Sequence, residues 1–389
     1  MKRLIGFLIS FVLLISVFTV SASAAASAVY TADKQFTERD LLQTPDLSGA
    51  VSYTMSDGQN IQIVSAGTYV LTGTANNATV TVEAGKDDKV QLVLDGLSVT
   101  NADFPAIYVK SADKVFITVS GDSSLSVTGT FRADGSTNMD GVIFSRADLT
   151  LNGTASLVIS STDNGIVGKD DIRITGGTYR ISAASKAVEA NDSIRIAGGT
   201  LDLTAGTDGL HAENDEEAEK GYVYISGGSV TVNAGDDGVH GTSVVQIDNG
   251  SLNIRAAEGI EGTYIQINGG TINIQSSDDG INAARKSSAY TPLIEINDGD
   301  NTIVMGGGDT DGIDANGSVV VNGGIIRVTG NSTFDYDGTA QYNGGTIIVN
   351  GQQVSSIPNS MMGGGHGGWG GQGGWGAQEG GGRGGRRGR

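Results

Sequence analysis

The sequence predicts an all-β fold, a right-handed three-sided parallel β-helix, and three observations predict it. First, one phrase recurs: acid, glycine, aliphatic, polar. It reads Asp208-Gly209-Leu210-His211, Asp237-Gly238-Val239-His240, Glu258-Gly259-Ile260-Glu261, Asp279-Gly280-Ile281-Asn282 and Asp311-Gly312-Ile313-Asp314. The central copies are about 21 residues apart, and a repeat of that length marks a solenoid whose copies bury their apolar faces on one another. Second, each copy carries two further strand-like pieces. One is an aliphatic-x-aliphatic triplet such as Ile172-Arg173-Ile174, Ile194-Arg195-Ile196 or Ile265-Gln266-Ile267. The other follows a glycine pair, as in Gly198-Gly199-Thr200-Leu201-Asp202-Leu203 and Gly269-Gly270-Thr271-Ile272-Asn273-Ile274. Third, every piece alternates with period two, which turns aliphatics inward and Arg, Gln, Asn and Asp outward. No stretch has the 3.6-residue period of a long helix.

Three strands per copy argue for three sides. A left-handed hexapeptide helix repeats at a shorter interval, and the leucine-rich and nonapeptide calcium signatures are missing. Right-handedness follows from the general crossover rule. The glycine pairs fit corners that require positive φ.

Along the chain, residues 1–28 read as a signal peptide: Lys2 and Arg3, an aliphatic run over 4–20, then small residues around Ala22-Ser23-Ala24. Residues 29–55 lack the repeat and are expected to cap the exposed strand edges, with a short helix over 37–42. Residues 56–351 form the β-helix. Residues 352–389, rich in Gly and ending with Arg383, Arg386, Arg387 and Arg389, read as a disordered tail. Two coils carry insertions after the recurring phrase, at 213–221 and 284–292, where solenoids commonly build binding surfaces.

Composition narrows the function. The formal net charge is −19 and both ends are basic, so the body is more acidic still. Such a body repels nucleic acid and anionic membranes and attracts cations. With no cysteine, disulfides, thiolate metal sites and lipid-anchored export are excluded. The predicted export places the protein outside the cell or on its surface, with no membrane contact after cleavage and at most a loose cationic contact between the tail and the cell wall.

Stacking brings the acids together. Aligned on the phrase's glycine, one column holds Asp140, Asn164, Lys186, Asp208, Asp237, Glu258, Asp279 and Asp311. A second holds Glu189, His211, His240, Glu261, Asn282, Asp314 and Asp335, and a third adds Asp163, Asp236 and Asp278, with Asp309 nearby. Like charges one strand spacing apart repel by roughly 3 kcal/mol at an effective dielectric near 20. A cation is expected among them, and the oxygen-rich donor set favours Ca2+ over a softer metal. The expected ligands are Asp208 with Asp236 and Asp237; Glu258 and Glu261 with Asp278, Asp279 and Asn282; and Asp279 and Asn282 with Asp309, Asp311 and Asp314. The alternative is that Asp and Asn serve turns and hydrogen-bonded ladders. Lys186 is expected to act as a built-in counter-ion for Asp208. Tyr224, Tyr264 and Tyr290 offer candidate flat stacking faces for a ligand, and Arg285 a candidate cationic contact.

Several stretches carry a family resemblance: 67–73 (Gly-Thr-Tyr-Val-Leu-Thr-Gly), 90–96 (Val-Gln-Leu-Val-Leu-Asp-Gly), 106–109, the Asp-Gly-aliphatic coils, and Asp335-Tyr336-Asp337-Gly338 before Gly344-Gly345. Over about residues 50–351 the chain resembles secreted bacterial carbohydrate-binding domain proteins with a polysaccharide-lyase-like parallel β-helix. That resemblance implies calcium and a polysaccharide partner, cellulose or an acidic glycan. The ladder also resembles the Asp-Asp-x-x-Asp calcium motif of family-nine pectate lyases. Asp236-Asp237-x-x-His240 and Asp278-Asp279-x-x-Asn282 depart from it at the last position, and Thr310-Asp311-x-x-Asp314 departs at the first. With those departures and no identifiable base lysine after the ladder, the expectation is a calcium-dependent polysaccharide binder rather than an enzyme. A pectate-type lyase and a calcium-stiffened surface rod are the alternatives.

Overall fold

The computed structural model describes residues 27–307 and 310–359. Residues 1–26 of the expected signal segment, the tail from residue 360 onward and Asp309 lie outside the described residues. The described chain is nearly all strand, and the strands join in parallel ladders that make three sheets winding around one interior.

Sheet 1 carries the recurring phrase, for example in Leu210–Ala212, the first part of Asp237–Ile247 and Ile281–Ala283. Sheet 2 carries the aliphatic triplets, as in Asp171–Ile174, Ser193–Ile196 and Tyr222–Ile225. Sheet 3 follows the glycine pairs, as in Thr200–Ala205, Ser251–Ala256 and Thr271–Ser276. Equivalent residues face each other coil by coil. Ile172 lies against Ile194, Ile194 against Val223, and Leu252 against Ile272. The inward aliphatics form one continuous core. Each fully buried aliphatic side chain contributes about 1.5–3 kcal/mol, and period two selects which residues supply it.

Glycine does two jobs here. At the corner between sheets 2 and 3, the second glycine of each pair is left-handed, with φ +94° at Gly199 and +90° at Gly270. The phrase's own glycine has no such φ; it is needed because the next coil is too close. A Cβ on Gly259 would lie 2.3 Å from the carbonyl oxygen of Gly280. An asparagine ladder runs along the first of these corners. Asn297 Nδ2 donates to Asn268 Oδ1 at 2.8 Å, and Asn322 repeats this to Asn297 at 2.7 Å. The hydrogen-bonded-ladder alternative therefore holds at this corner, and in part at the acid corner as well.

Three boundaries differ from expectation. The rod begins at Val51–Thr54, which pairs in parallel with Tyr69–Thr72 as the first rung of sheet 2. Its far end is closed by Gln352–Val354, antiparallel to Thr346–Val349, which covers the last edge of sheet 3. The early coil is also one residue out of the sequence alignment, because Asn164 faces Gly141 and not Asp140.

The segment before Val51 is a strap along the outside of sheet 2 as well as the lead-in to the first rung. Its helix is Ala32–Gln35, and residues 37–42 form turns. The backbone of Tyr30 exchanges two hydrogen bonds with the Gln246 amide, at 2.8 and 2.9 Å. Arg173 and Arg195 reach toward the carbonyl of Gln35. Asp40, fully buried, accepts from Thr150 Oγ1 at 2.7 Å and meets Lys114 Nζ at 2.5 Å. Burial pushes the Asp40 carboxyl up, but Lys114, Thr37 and Thr150 outweigh it and hold it at about 2.

Candidate functional site

The strap overturns one expectation. Tyr224 has no exposed surface; it packs with Phe36, Tyr222 and Val244 under Val29 and Tyr30, and its hydroxyl donates to Asp248 Oδ2 at 2.7 Å. It offers no ring face to a sugar. Tyr264 and Tyr290 are half-buried in the same cluster, ring centroids 6.2 Å apart, and the Tyr264 hydroxyl is committed to Glu295. Sequence periodicity turned Tyr224 and Tyr264 outward correctly, but it carried no signal that a segment some 190 residues or more away would pack over them. Arg285 is exposed on the second inserted loop.

The acid columns do meet, along sheet 1 at its entry corner. The register stacks His211 on His240, Asp237 on Glu258, His240 on Glu261, Glu261 on Asn282, and Asn282 on Asp314. Asp237, Glu261 and Asn282 are buried, as is Asp208. Asp236 and Asp278 differ: they turn into solvent at the rim. Part of the column is structural, since Asp208 Oδ1 accepts the N–H of Asp237 and Asp279 Oδ1 that of Asp311, both at 3.1 Å. One oxygen of each carboxylate thus ties its coil to the next.

Two stretches of this ladder have opposite electrostatics. In the upper stretch, cations are built in. His240 Nδ1 lies 2.8 Å from both Asp237 Oδ2 and Glu261 Oε2. Burial opposes its charge, but those two carboxylates raise it to about 9, so the ring is an imidazolium at neutral pH. Lys286, from the second inserted loop, adds a contact of 2.7 Å to Glu261 Oε1. Burial pushes Glu261 up, yet His240 and Lys286 hold it at about 2. One coil earlier His211 Nδ1 sits 2.9 Å from Asp208 Oδ2, and the two imidazoles stack at 4.6 Å. Lys186 pairs with Glu189 at 3.6 Å and not with Asp208, which turns to His211. His240 and Lys286 were the residues sequence reasoning missed as counter-ions.

The lower stretch has no such cation among the described residues. Burial, then Glu261, Asp237 and Asp279, push Glu258 up to about 7 despite its hydrogen bond from Asn282 Nδ2 at 3.0 Å. Burial raises Asp279 to about 6, with Asp278, Asp311 and Glu261 adding to it. Burial, Asp279, Asp311 and Asp335 raise Asp314 to about 7. Three buried oxygens here also lack any hydrogen-bond partner: Asn282 Oδ1, Thr310 Oγ1 and Asp335 Oδ1. A buried polar atom without a partner costs about 1–3 kcal/mol.

Among the described residues, the titratable donors that pack within 4.8 Å are Asp237–His240–Glu261 and Asp148–Asp170–Asp171. The first is neutralised by His240 itself and by Lys286; in the second, Arg173 and Arg195 pair with Asp148 and Asp171 but not with Asp170, which burial and the neighbouring acids push up to about 6. The lower acids stand further apart, as mutual repulsion dictates. Glu258, Asp279, Asp311, Asp314 and the orphaned Asn282 Oδ1 supply only oxygens, which fits a hard divalent cation. Asp208, Asp237 and Glu261, expected as ligands, are instead committed to histidine and lysine.

Fold and site together define a β-solenoid with an oxygen-lined acidic corner. The chain belongs to the carbohydrate-binding domain-containing protein family, whose model matches residues 57–309 and 258–356. It is 41% identical over 169 residues to a carbohydrate-binding domain-containing protein of Acetivibrio thermocellus, a match covering 42% of this chain and 59% of that relative. It is also similar to a solved structure described as the polysaccharide lyase-like protein from C. thermocellum, gadolinium derivative. That likeness has a TM-score of 0.50 at 29% identity and covers 57% of this chain and 92% of the other.

Proposed function

We propose that this is an exported, calcium-dependent polysaccharide-binding protein that performs no catalysis. The observation carrying the reading is the uncompensated stretch around Glu258, Asp279, Asn282, Asp311 and Asp314. Glu258, Asp279 and Asp314 are raised by burial and by neighbouring acids, and the Asn282 oxygen is buried without a donor. A calcium ion would neutralise the acids, take the orphaned oxygen and leave coordination positions for sugar oxygens. Export rests on Lys2, Arg3 and the aliphatic run that follows.

The lysines argue against a lyase. Elimination from a uronate needs a base that is neutral near neutral pH. Burial lowers Lys286, but Glu261 outweighs it and the pKa is raised, the wrong direction for that role. Lys186 is engaged by Glu189.

The test is calcium content after dialysis, with polysaccharide pull-down in calcium and in chelator. Retained calcium and chelator-sensitive binding are expected. Calcium-loaded protein that captures no glycan would leave only a stiffened rod. Unsaturated-product absorbance on polygalacturonate would replace the binder with an enzyme.

A further inference from the structure

A second surface lies just outside the acid corner, on the outer face of sheet 3. The register stacks Asn233, Arg255, Gln275 and Val304 in four successive coils, all outward and exposed. This row is a ridge. On one side is a trough of about 430 Å³ floored by small residues, among them Ala256, Ala257, Ser276 and Ser277. On the other is a trough of about 470 Å³ bordered by Thr231, Asn253 and Asn273. Glu258 and Asp278 of the acid corner follow the trough residues Ala257 and Ser277 directly in the chain. Four coils at strand spacing span about 14 Å along the rod, enough for a short run of sugar rings.

Arg255 stands on this ridge between uncharged neighbours, Asn233 in one coil and Gln275 in the next. Arg132, Arg173, Arg195 and Arg327 each pair with an aspartate. Arg255, like Arg39, Arg146, Arg180 and Arg285, makes no ion pair with any described residue, in a chain of net charge −19. Its strand carries it outward on the ridge, away from the acid corner. A planar guanidinium flanked by Asn233 and Gln275 in the adjoining coils suits a carboxylate or sulfate, gripped bidentately, with amides meeting neighbouring hydroxyls. The small-residue floor lets a polymer approach the backbone closely.

We propose that this ridge and its troughs seat an acidic polysaccharide running along the rod, with Arg255 reading the anionic group on the sugar. The inference rests on the polysaccharide-binding reading above and assigns that reading a surface and a ligand class. The ridge holds the chain from one side, and the acid corner faces it from the other.

The experiment compares the full chain with Arg255→Ala, Arg255→Lys and, as a charge control elsewhere on sheet 3, Arg180→Ala. Affinity electrophoresis in excess calcium is run against polygalacturonate, a sulfated galactan and a neutral β-glucan. Arg255→Ala is expected to weaken binding to one or both acidic polymers by roughly ten- to a hundred-fold. Arg255→Lys should restore part of it, and Arg180→Ala should change nothing. The acidic polymer affected identifies carboxylate or sulfate as the group read. Unchanged acidic-polymer binding in Arg255→Ala overturns the proposal while leaving polysaccharide binding intact. Equal loss on the neutral glucan overturns the reading of charge. Failure of the unsubstituted protein to bind any polymer overturns the parent reading instead.

Discussion

The two stretches of the acid ladder share a fold, a register and nearly the same motif, yet solve like-charge stacking in different ways. Where His240 and Lys286 reach in, Asp237 and Glu261 are buried, close-packed and charged. Two and three coils on from His240, Asn282 and Asp314 occupy its position, and carboxylates take up protons near neutral pH. The lesson is that a column of acids is not itself a metal site. The residue three positions after each acid decides whether the protein supplies the cation or must recruit one.

The largest expected effect tests the built-in cation. His240→Ala strands the buried Asp237 charge and leaves Glu261 with Lys286 alone, and should cost about 3–5 kcal/mol in thermal or denaturant unfolding. Calcium content should not change. Full rescue of that variant by added calcium would erase the distinction between the stretches.

Next comes the recruited cation. Asp279→Ala with Asp311→Ala should reduce bound calcium. At a calcium concentration a hundredfold above Kd, it should remove about 2.7 kcal/mol of calcium-dependent stabilisation per lost site. Unchanged stoichiometry by equilibrium dialysis would move the ion elsewhere on the corner.

A smaller effect separates the strap from the ligand surface. Tyr224→Phe removes the hydrogen bond to Asp248 and should cost about 1 kcal/mol, with glycan affinity unaltered. A loss of glycan binding at unchanged stability would return Tyr224 to the ligand surface.

The smallest is a pH trend in chelator. Glu258 and Asp314 at about 7 and Asp279 at about 6 hold protons more tightly folded than unfolded. Their contribution therefore grows as pH falls from about 8 to about 5. His240 adds to the trend, since its stabilisation is present below its ordinary pKa and fades as pH rises through about 9. Glu261, at about 2, opposes only in strong acid. Calcium should thus raise Tm more at pH 8 than at pH 5, because protons and the ion compete for the same oxygens. Equal gains at both would disconnect these carboxylates from the ion.

Much of the rod was legible in the text. Ile172, Ile194 and Ile265 declare their faces by alternation, and Gly199 and Gly270 declare their corners. The columns were legible too, because a fixed repeat converts sequence position into height along the rod. The alignment slipped only at Asn164, where a longer coil broke the count. What escaped was everything set by contacts without a period. Lys286 comes from an insertion, Asp40 from a segment outside the repeat, and the Asn282 oxygen is orphaned only by how Glu258 takes its amide.

By itself, the sequence determined a three-sided rod with acids stacked on one corner, since periodic burial and strand spacing leave little else for such a repeat to do. Tertiary structure alone decided which acids keep a bare charge, which rings the strap covers, and which arginines go unpaired, because charge pairing and burial depend on distances between residues that no repeat relates.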